Sequence, residues 1–482
     1  MNIKSISLYV GKALFVNALF MFFSVLVSLF YGLDSGFTPL LISAVITFVV
    51  GVFPMIFVKN SQPQSLKEGF LIIVLSWLLS FVFGMLPYVL YGGEFTVMNA
   101  WFESVSGYTT TGSTILTDIE ALPKSLLFWR SSTHYIGGLG VIVFLLLIMP
   151  DSSTFKHRLS NMDISSMSRD GYHYKSGKTV RVMLMVYILL TIAEFFALWG
   201  AGMTPFDAIN HSFSTIATGG FSTKNTSIMY YDSLSIDLIL IVFMILSSIH
   251  FGVLFLIFAK RSLRPLTGDV TKYYLSVFLI ISVLVMITLL SQGGYSSWGN
   301  AAVDSAFQVS SFISTTGFGN ADNASWPVLA NLFLLFVAFH CGCSGSTTGG
   351  IKADRMLVVL RAFKGEFHKR IAPSSMFRVR IDGAALKDDA ISSIFQYIVI
   401  YLLILFISFC LVLASGVEVG EAFSGTLSSL GNVGPAMDGL GTMGSYSSQP
   451  LMAKFIYSLD MILGRLEIFP IFIVVSMIFR RK

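Results

Sequence analysis

Four polar turns built from glycine with threonine, serine or asparagine each lie between hydrophobic segments. They read Thr109-Thr110-Thr111-Gly112-Ser113, Ala217-Thr218-Gly219-Gly220-Phe221, Ser314-Thr315-Thr316-Gly317-Phe318 and Gly431-Asn432-Val433-Gly434-Pro435. Irregular backbone at membrane depth is tolerated only where it is buried in protein or lines a water-filled path. The chemistry such turns offer is dehydration of a monovalent cation, whose hydration shell a ring of backbone carbonyls can replace. Glycine lets those carbonyls turn inward without a side chain filling the pore, and threonine or serine hydroxyls add ligands or brace the loop. The candidate ligands are the carbonyls of Thr110, Thr111 and Gly112, of Ala217, Thr218 and Gly219, of Thr315, Thr316 and Gly317, and of Asn432, Val433 and Gly434. The turns carry no ring of carboxylates, which argues against a filter for divalent ions. One such turn alone would read as an ordinary re-entrant loop or helix break; four in matching context point to one ion pore.

Two further features bear on such a pore. Cys341-Gly342-Cys343-Ser344-Gly345-Ser346-Thr347-Thr348-Gly349-Gly350 places ten small residues inside an otherwise long hydrophobic span. Each glycine there costs about 1 kcal/mol relative to alanine in a helix, so the run is expected to loop out beneath the third turn; close packing of small residues between helices is the plainer alternative. Cys341 and Cys343 lack a third or fourth metal ligand nearby, and Cys410 stands alone, so neither a metal site nor a disulfide framework is expected. Arg465, in Gly464-Arg465-Leu466-Glu467, falls inside the last hydrophobic span, where an arginine costs at least about 2.5 kcal/mol and faces the protein interior. Below a cation filter it would repel the permeant ion and act as a gate or brake. The alternative is a structural ion pair with Asp460 or Glu467, although Glu467 is only two residues away and points off another helix face.

The elements that position these residues follow from composition. Of 482 residues, 54% are hydrophobic and only 12% charged, with a mean hydropathy of +0.77, against roughly 25% charged in a soluble domain. The chain therefore reads as an integral membrane protein with stretches of about 20 residues, enough to cross a hydrocarbon core of about 30 Å. Spans are expected at 11–31, 38–58, 70–91, 125–149, 179–200, 235–259, 272–292, 326–362 (interrupted), 391–415 and 451–479. The first is long for a signal peptide and no small-residue cleavage site follows, so it reads as a retained helix. Shorter amphipathic stretches at 97–108, 205–216, 301–313 and 419–430 read as re-entrant pore helices. With Gly112, Gly219, Gly317 and Gly434 as equivalents the intervals are 107, 98 and 117 residues, each the length of helix, pore loop and second helix; Gly431 is an alternative to Gly434. The expected fold is all-α: two N-terminal transmembrane helices (1–66), then four parallel helix/pore-loop/helix repeats at 67–170, 171–268, 269–385 (with the small-residue loop) and 386–482, in pseudo-fourfold order around a central pore.

Lysine and arginine cluster at Lys59 and Lys67, at Lys156 to Arg181, at Lys260 to Lys272, at Lys352 to Lys387 and at Arg480-Arg481-Lys482. By the positive-inside rule these segments and both termini are cytoplasmic, with Lys124, Arg130, Lys224 and Lys454 on the other side. The net charge of +5 thus reflects topology and needs no nucleic acid. His134, His157, His173, His211, His250, His340 and His368 show no ligand spacing, so no enzymatic constellation is expected.

The chain resembles the Trk/Ktr/HKT superfamily of cation transporters, most closely the TrkH-type potassium uptake proteins of bacteria. The residues that carry the resemblance are TTTGST at 109–114, ATGGFST at 217–223, STTGFGN at 314–320, GNVGP at 431–435, GSTTGGIK at 345–352 and GRLEIFP at 464–470. The resemblance implies potassium as substrate, passing through filter strands that contain Gly112, Gly219, Gly317 and Gly434. It implies an intramembrane gate at 341–350 with Arg465 in the pathway, location in the bacterial inner (plasma) membrane, a homodimer, and a cytosolic TrkA-type regulatory ring. No dinucleotide fingerprint occurs in this sequence, so a regulatory nucleotide (ATP/ADP or NAD) would sit on that partner, with no cofactor in this chain. Gly112 stands where many sodium-transporting plant relatives have serine. Ser248-Ile249-His250-Phe251-Gly252 departs from the family's Gly-x-Asn-Phe type of segment, so local packing is expected to differ there. The alternative activity is potassium symport coupled to sodium or protons; a transporter built on inverted repeats is disfavoured by the parallel ones, and a non-conducting scaffold by the filter-like turns.

Overall fold

The computed structural model describes residues 2–58, 65–148, 176–292, 295–372 and 378–479. Among these the chain is helical apart from loops and one short hairpin, Arg380–Ile381 with Ala384–Ala385. Two antiparallel helices, Ile3–Phe30 and Phe37–Phe57, come first and pack closely together. Their contact is backbone to backbone: a Cβ on Gly11 would lie 2.6 Å from the Gly51 carbonyl, and one on Gly51 would lie 2.9 Å from the Phe15 amide nitrogen. Such small-residue crossings let membrane helices gain dispersion where no hydrophobic drive exists between apolar surfaces.

Four repeats follow. Each has an entering helix, a short pore helix, an extended return and an exiting helix. The pore helices are Val97–Tyr108, Pro205–Ile216, Trp298–Ile313 and Val419–Gly431, within a few residues of the stretches expected from the sequence. Local signals explain their starts. Thr96 accepts from the Asn99 amide and Thr204 from the Asp207 amide, at 3.3 and 3.1 Å, which satisfies donors that a helix start leaves unpaired. Beyond the first turn the pore helices are almost wholly buried, held centrally by the longer helices around them. One apolar core joins repeats two and three, and a second joins the N-terminal pair with repeats one and four.

Six described helices are long and apolar enough to cross a membrane, and the pair Leu234–Ser248 with Phe251–Ala259 makes a seventh if counted as one. That pair corrects the expectation of a straight span at 235–259: it bends by 104° at Ile249 and His250. The backbone freed at the bend is bonded elsewhere, with the Cys343 amide donating to the Ser248 carbonyl (2.8 Å) and the Phe251 amide to the Gly345 carbonyl (3.2 Å). His250 Nδ1 accepts from the Gly252 amide at 2.9 Å and so starts the new helix. The span at 326–362 is interrupted as expected, into Val328–Phe339 and Ala353–Ile371. The last span, 451–479, is also broken, into Leu451–Arg465 and Phe469–Phe479, with Glu467 and Ile468 at φ +56° and +61°. The basic clusters at Lys59, at Lys156 to Lys175 and at Arg480-Arg481-Lys482 lie outside the described residues.

Replacing Gly51 with leucine drives a side chain into the Gly11 and Phe15 backbone. It is expected to lower the stability of the detergent-solubilised protein by about 1–3 kcal/mol, the usual cost of overpacking, read as a fall in thermal midpoint.

Candidate ion filter and gate

All four pore helices end in the same hydrogen-bonded turn. The amides of Thr110, Thr218, Thr315 and Asn432 donate three residues back, to Gly107, Thr215, Phe312 and Ser429. The next amides, of Thr111, Gly219, Thr316 and Val433, donate five residues back, to Ser106, Ser214, Ser311 and Ser428, at 2.8–2.9 Å. This is the Schellman helix end, whose left-handed residue is usually glycine. Here that residue is Thr110, Thr218, Thr315 or Asn432, at φ of 53°, 57°, 55° and 54°. A left-handed β-branched residue is strained by about 1–2 kcal/mol.

Two residues further on, each strand has a left-handed glycine: Gly112, Gly220, Gly317 and Gly434, at φ of 82°, 85°, 80° and 101°. These four form a closed circuit. A Cβ on Gly112 would lie 2.0 Å from the Gly219 carbonyl oxygen, on Gly220 2.1 Å from that of Thr316, on Gly317 2.3 Å from that of Val433, and on Gly434 2.4 Å from that of Thr111. Each repeat therefore fits its glycine against the carbonyl of the next, and the fourth closes on the first. Glycine is required here twice over, by dihedral and by contact.

The circuit corrects the register expected for repeat two. Gly220, not Gly219, is the counterpart of Gly112, Gly317 and Gly434; Gly219 aligns with Thr111, Thr316 and Val433, and Ala217 is the last-turn cap alongside Thr109, Ser314 and Gly431. The double glycine hid this slip, because either residue satisfies a T-x-G or T-G pattern. In the fourth repeat Gly434 takes the ring position, and Gly431 closes the pore helix.

Buried polar groups brace the ring from behind. Glu103, on the first pore helix, accepts from Arg130 Nε (2.8 Å), from the Thr114 hydroxyl and from the Ile115 amide. Arg130 in turn reaches the Ser222 carbonyl in repeat two and lies over the Phe221 ring. Asp207, Asp304 and Glu421 fasten the other returns through Thr223 (2.6 Å), Asn320 (2.8 Å) and Gln449 (2.8 Å). The Ser214 and Ser311 hydroxyls donate to the Phe221 and Phe318 carbonyls, and His134 Nδ1 shares a hydrogen bond with Ser214. The sequence gave no sign of the Glu103–Arg130 pairing, which crosses 27 residues.

Beneath the ring lies the loop at 341–350, tied to several elements. The Thr347 hydroxyl donates to the Ile216 carbonyl (3.0 Å), at the end of the second pore helix, and the Gly349 amide to Thr315 Oγ1 (3.0 Å), in the third filter turn. The Ser344 amide and hydroxyl both donate to Asp354 Oδ1, Ser346 donates to the Cys343 carbonyl, Cys341 bonds the Ile351 and Ala338 carbonyls, and the Gly342 carbonyl accepts from the Ala353 amide. Gly345 and Gly350 are left-handed. The buried ammonium of Lys352 binds the carbonyl and hydroxyl of Thr348.

Arg465 crosses this arrangement. Its Nη1 donates to the Thr347 carbonyl at 2.6 Å and its Nη2 to the Gly137 carbonyl at 3.2 Å, while Nε has no partner. Neither proposed ion-pair partner is in reach: Asp460 accepts from Ser408 (2.6 Å), and Glu467 pairs with Arg355 (2.6 Å). Thus a buried guanidinium, 6% exposed, is held by two carbonyls, one on the loop and one in repeat one. It occupies the kind of ligand a permeant cation would use.

The sequence matches the TrkH family profile, described as a cation transport protein, over residues 40–481. It is 33% identical over 390 residues to the Trk system potassium uptake protein TrkH of Salmonella typhimurium, covering 80% of each chain. It is 32% identical to the Trk system potassium uptake protein TrkG of Escherichia coli K12, again over 80% of each. The fold superposes on the crystal structure of the potassium transporter TrkH from Vibrio parahaemolyticus with a TM-score of 0.89, 31% identity and full coverage of both chains.

The ring makes its own register testable. Gly220→Ala introduces both a left-handed side chain and a clash with the Thr316 carbonyl, whereas Gly93→Ala, at φ +64° with no atom within 4 Å, has only the left-handed penalty of about 1–2 kcal/mol. Thermal unfolding is expected to rank Gly220→Ala as clearly the more damaging; equal effects would break the circuit.

Proposed function

The chain belongs to the TrkH family of cation transport proteins, and from that premise we propose that it takes up potassium across a bacterial inner membrane through a gated, channel-like filter. The observation that carries this reading is the closed circuit of four left-handed glycines against four neighbouring carbonyls. It gathers a backbone carbonyl from every repeat into one ring, and a ring of backbone carbonyls is what substitutes for a cation's hydration shell. The candidate ligands are the carbonyls of Thr110 and Thr111, Thr218 and Gly219, Thr315 and Thr316, and Asn432 and Val433, with the ring glycines above them.

The loop at 341–350 and Arg465 then form the gate. The guanidinium repels a cation leaving the filter and at the same time latches the loop to repeat one. Opening requires the two carbonyl contacts of Arg465 to be released, and the Thr315–Gly349 bond couples that release to the third filter strand. In this reading a cytosolic TrkA-type ring, binding ATP/ADP or NAD on its own subunits, drives the opening. The chain works as a homodimer with both termini cytoplasmic.

Rubidium or potassium uptake into proteoliposomes containing the chain, with sodium as competitor and the potential clamped, tests the reading. Selective flux along the electrochemical gradient without sodium or a pH difference supports the channel-like pore; flux that needs a second ion gradient replaces it with symport. Gly112→Ser, which forces a side chain toward the Gly219 carbonyl, is expected to reduce potassium over sodium discrimination by about tenfold, or about 1.4 kcal/mol; an unchanged ratio removes Gly112 from the filter. Arg465→Ala and Thr315→Val, which delete the latch and the acceptor for the Gly349 amide, are both expected to raise basal flux. A drop in flux with normal expression would contradict the gate.

A further inference from the structure

An open apolar crevice of about 340 Å3 lies apart from the four filter turns. It is a crevice between the N-terminal helix, the exiting helix of repeat one, the entering helix of repeat two and the second pore helix, with walls that include Phe20, Phe128, Tyr135, Ile192 and Phe213. No charged residue lines it, and the Thr191 hydroxyl at its edge is already spent on the Tyr187 carbonyl at 2.8 Å. Apolar cavities of roughly 150 Å3 stay dry and take up benzene, and this one is more than twice that size. Water therefore gains nothing by entering, and an empty space of this size leaves its walls without contact partners.

The mouth indicates what fills it. Phe23, Ile188, Ile192 and Phe196 are 42–57% exposed on helices long and apolar enough to cross the membrane. The crevice thus opens onto the hydrocarbon of the bilayer, and its occupant must be a chain that reaches sideways from there. Its inner wall reaches the filter. Tyr135 and Phe213 stack at 4.3 Å, and each is the immediate neighbour of a residue bracing the second filter strand. Those residues are His134, stacked on Phe221 at 4.1 Å, and Ser214, whose hydroxyl donates to the Phe221 carbonyl.

We propose that this crevice is a binding site for an acyl chain of a membrane lipid, which packs against Tyr135 and Phe213 and so supports the second filter strand from outside. The N-terminal helix takes part in this arrangement, with Phe23 at the mouth and Phe20 within, its ring against Tyr135 at 6.1 Å.

The test is photolabelling of the full chain in proteoliposomes made with phosphatidylcholine that carries a diazirine in one acyl chain, followed by peptide mapping. The expected result is adducts on Ile209 and Phe213 of the pore helix, together with the background adducts of a plainly lipid-facing residue such as Phe406, 64% exposed. Ile192→Trp, or Ile188→Trp if the first does not fold, fills the mouth and should abolish the Ile209 and Phe213 adducts while leaving those on Phe406. Adducts on Phe406 alone in the unsubstituted chain, or crevice adducts that survive the filling, overturn the proposal. So does efficient disulfide linkage of two copies through a Phe196→Cys variant lacking Cys410, which would place a second chain over the mouth.

Discussion

Everything near the axis depends on how a helix ends when it stops at membrane depth. A pore helix that terminates inside the bilayer leaves carbonyls without partners and no water to satisfy them. The four helices here share one solution, a left-handed residue that folds two amides back onto the last turn. The following carbonyls are thereby turned away from the helix and toward the neighbouring repeat, where only glycine leaves room. The strain of three threonines and an asparagine in the left-handed region is the kind that persists only where surrounding structure over-determines it. The acidic braces on the pore helices, the Arg130–Glu103 pair and the serine hydroxyls are that surrounding structure.

The loop at 341–350 meets the same shortage of partners. It is all small residues, so neighbouring elements approach its backbone closely, and hydrogen bonds tie it to them. Those bonds reach the second pore helix, the third filter turn, the bend at His250 and, through Arg465, repeat one. Arg355 and Glu467, paired at 2.6 Å, connect the break in the last helix to the helix that leaves the loop. The helix Ala353–Ile371 is thereby linked to the residues directly after Arg465.

Much of this was legible in the sequence, because membrane depth makes its demands visible. Span lengths, four polar turns at a near-constant interval, and an arginine in an apolar helix are one-dimensional signals, and they placed the pore helices within a few residues. What the sequence concealed depends on dihedral angles or on contacts across repeats. Gly219 and Gly220 are indistinguishable as letters, and only the left-handed φ and the approach to the Thr316 carbonyl separate them. The bend at Ile249 and His250 has no proline to announce it, only Gly252 two residues on, and the loop at 343–345 supplies hydrogen bonds in place of the helix. Asp460 lies near Arg465 in sequence while Glu467 points off another helix face, and Ser408 and Arg355 hold these two carboxylates from other helices.

In the proposed filter the four carbonyls of Thr111, Gly219, Thr316 and Val433 share one ion. The most direct measurement is anomalous scattering from crystals of the protein grown in a rubidium or thallium salt. The account predicts a peak on the axis at the level of those four oxygens, displaced when potassium replaces the heavier ion and retained in excess sodium. A filter with no peak there, or with a peak that sodium removes, would contradict it.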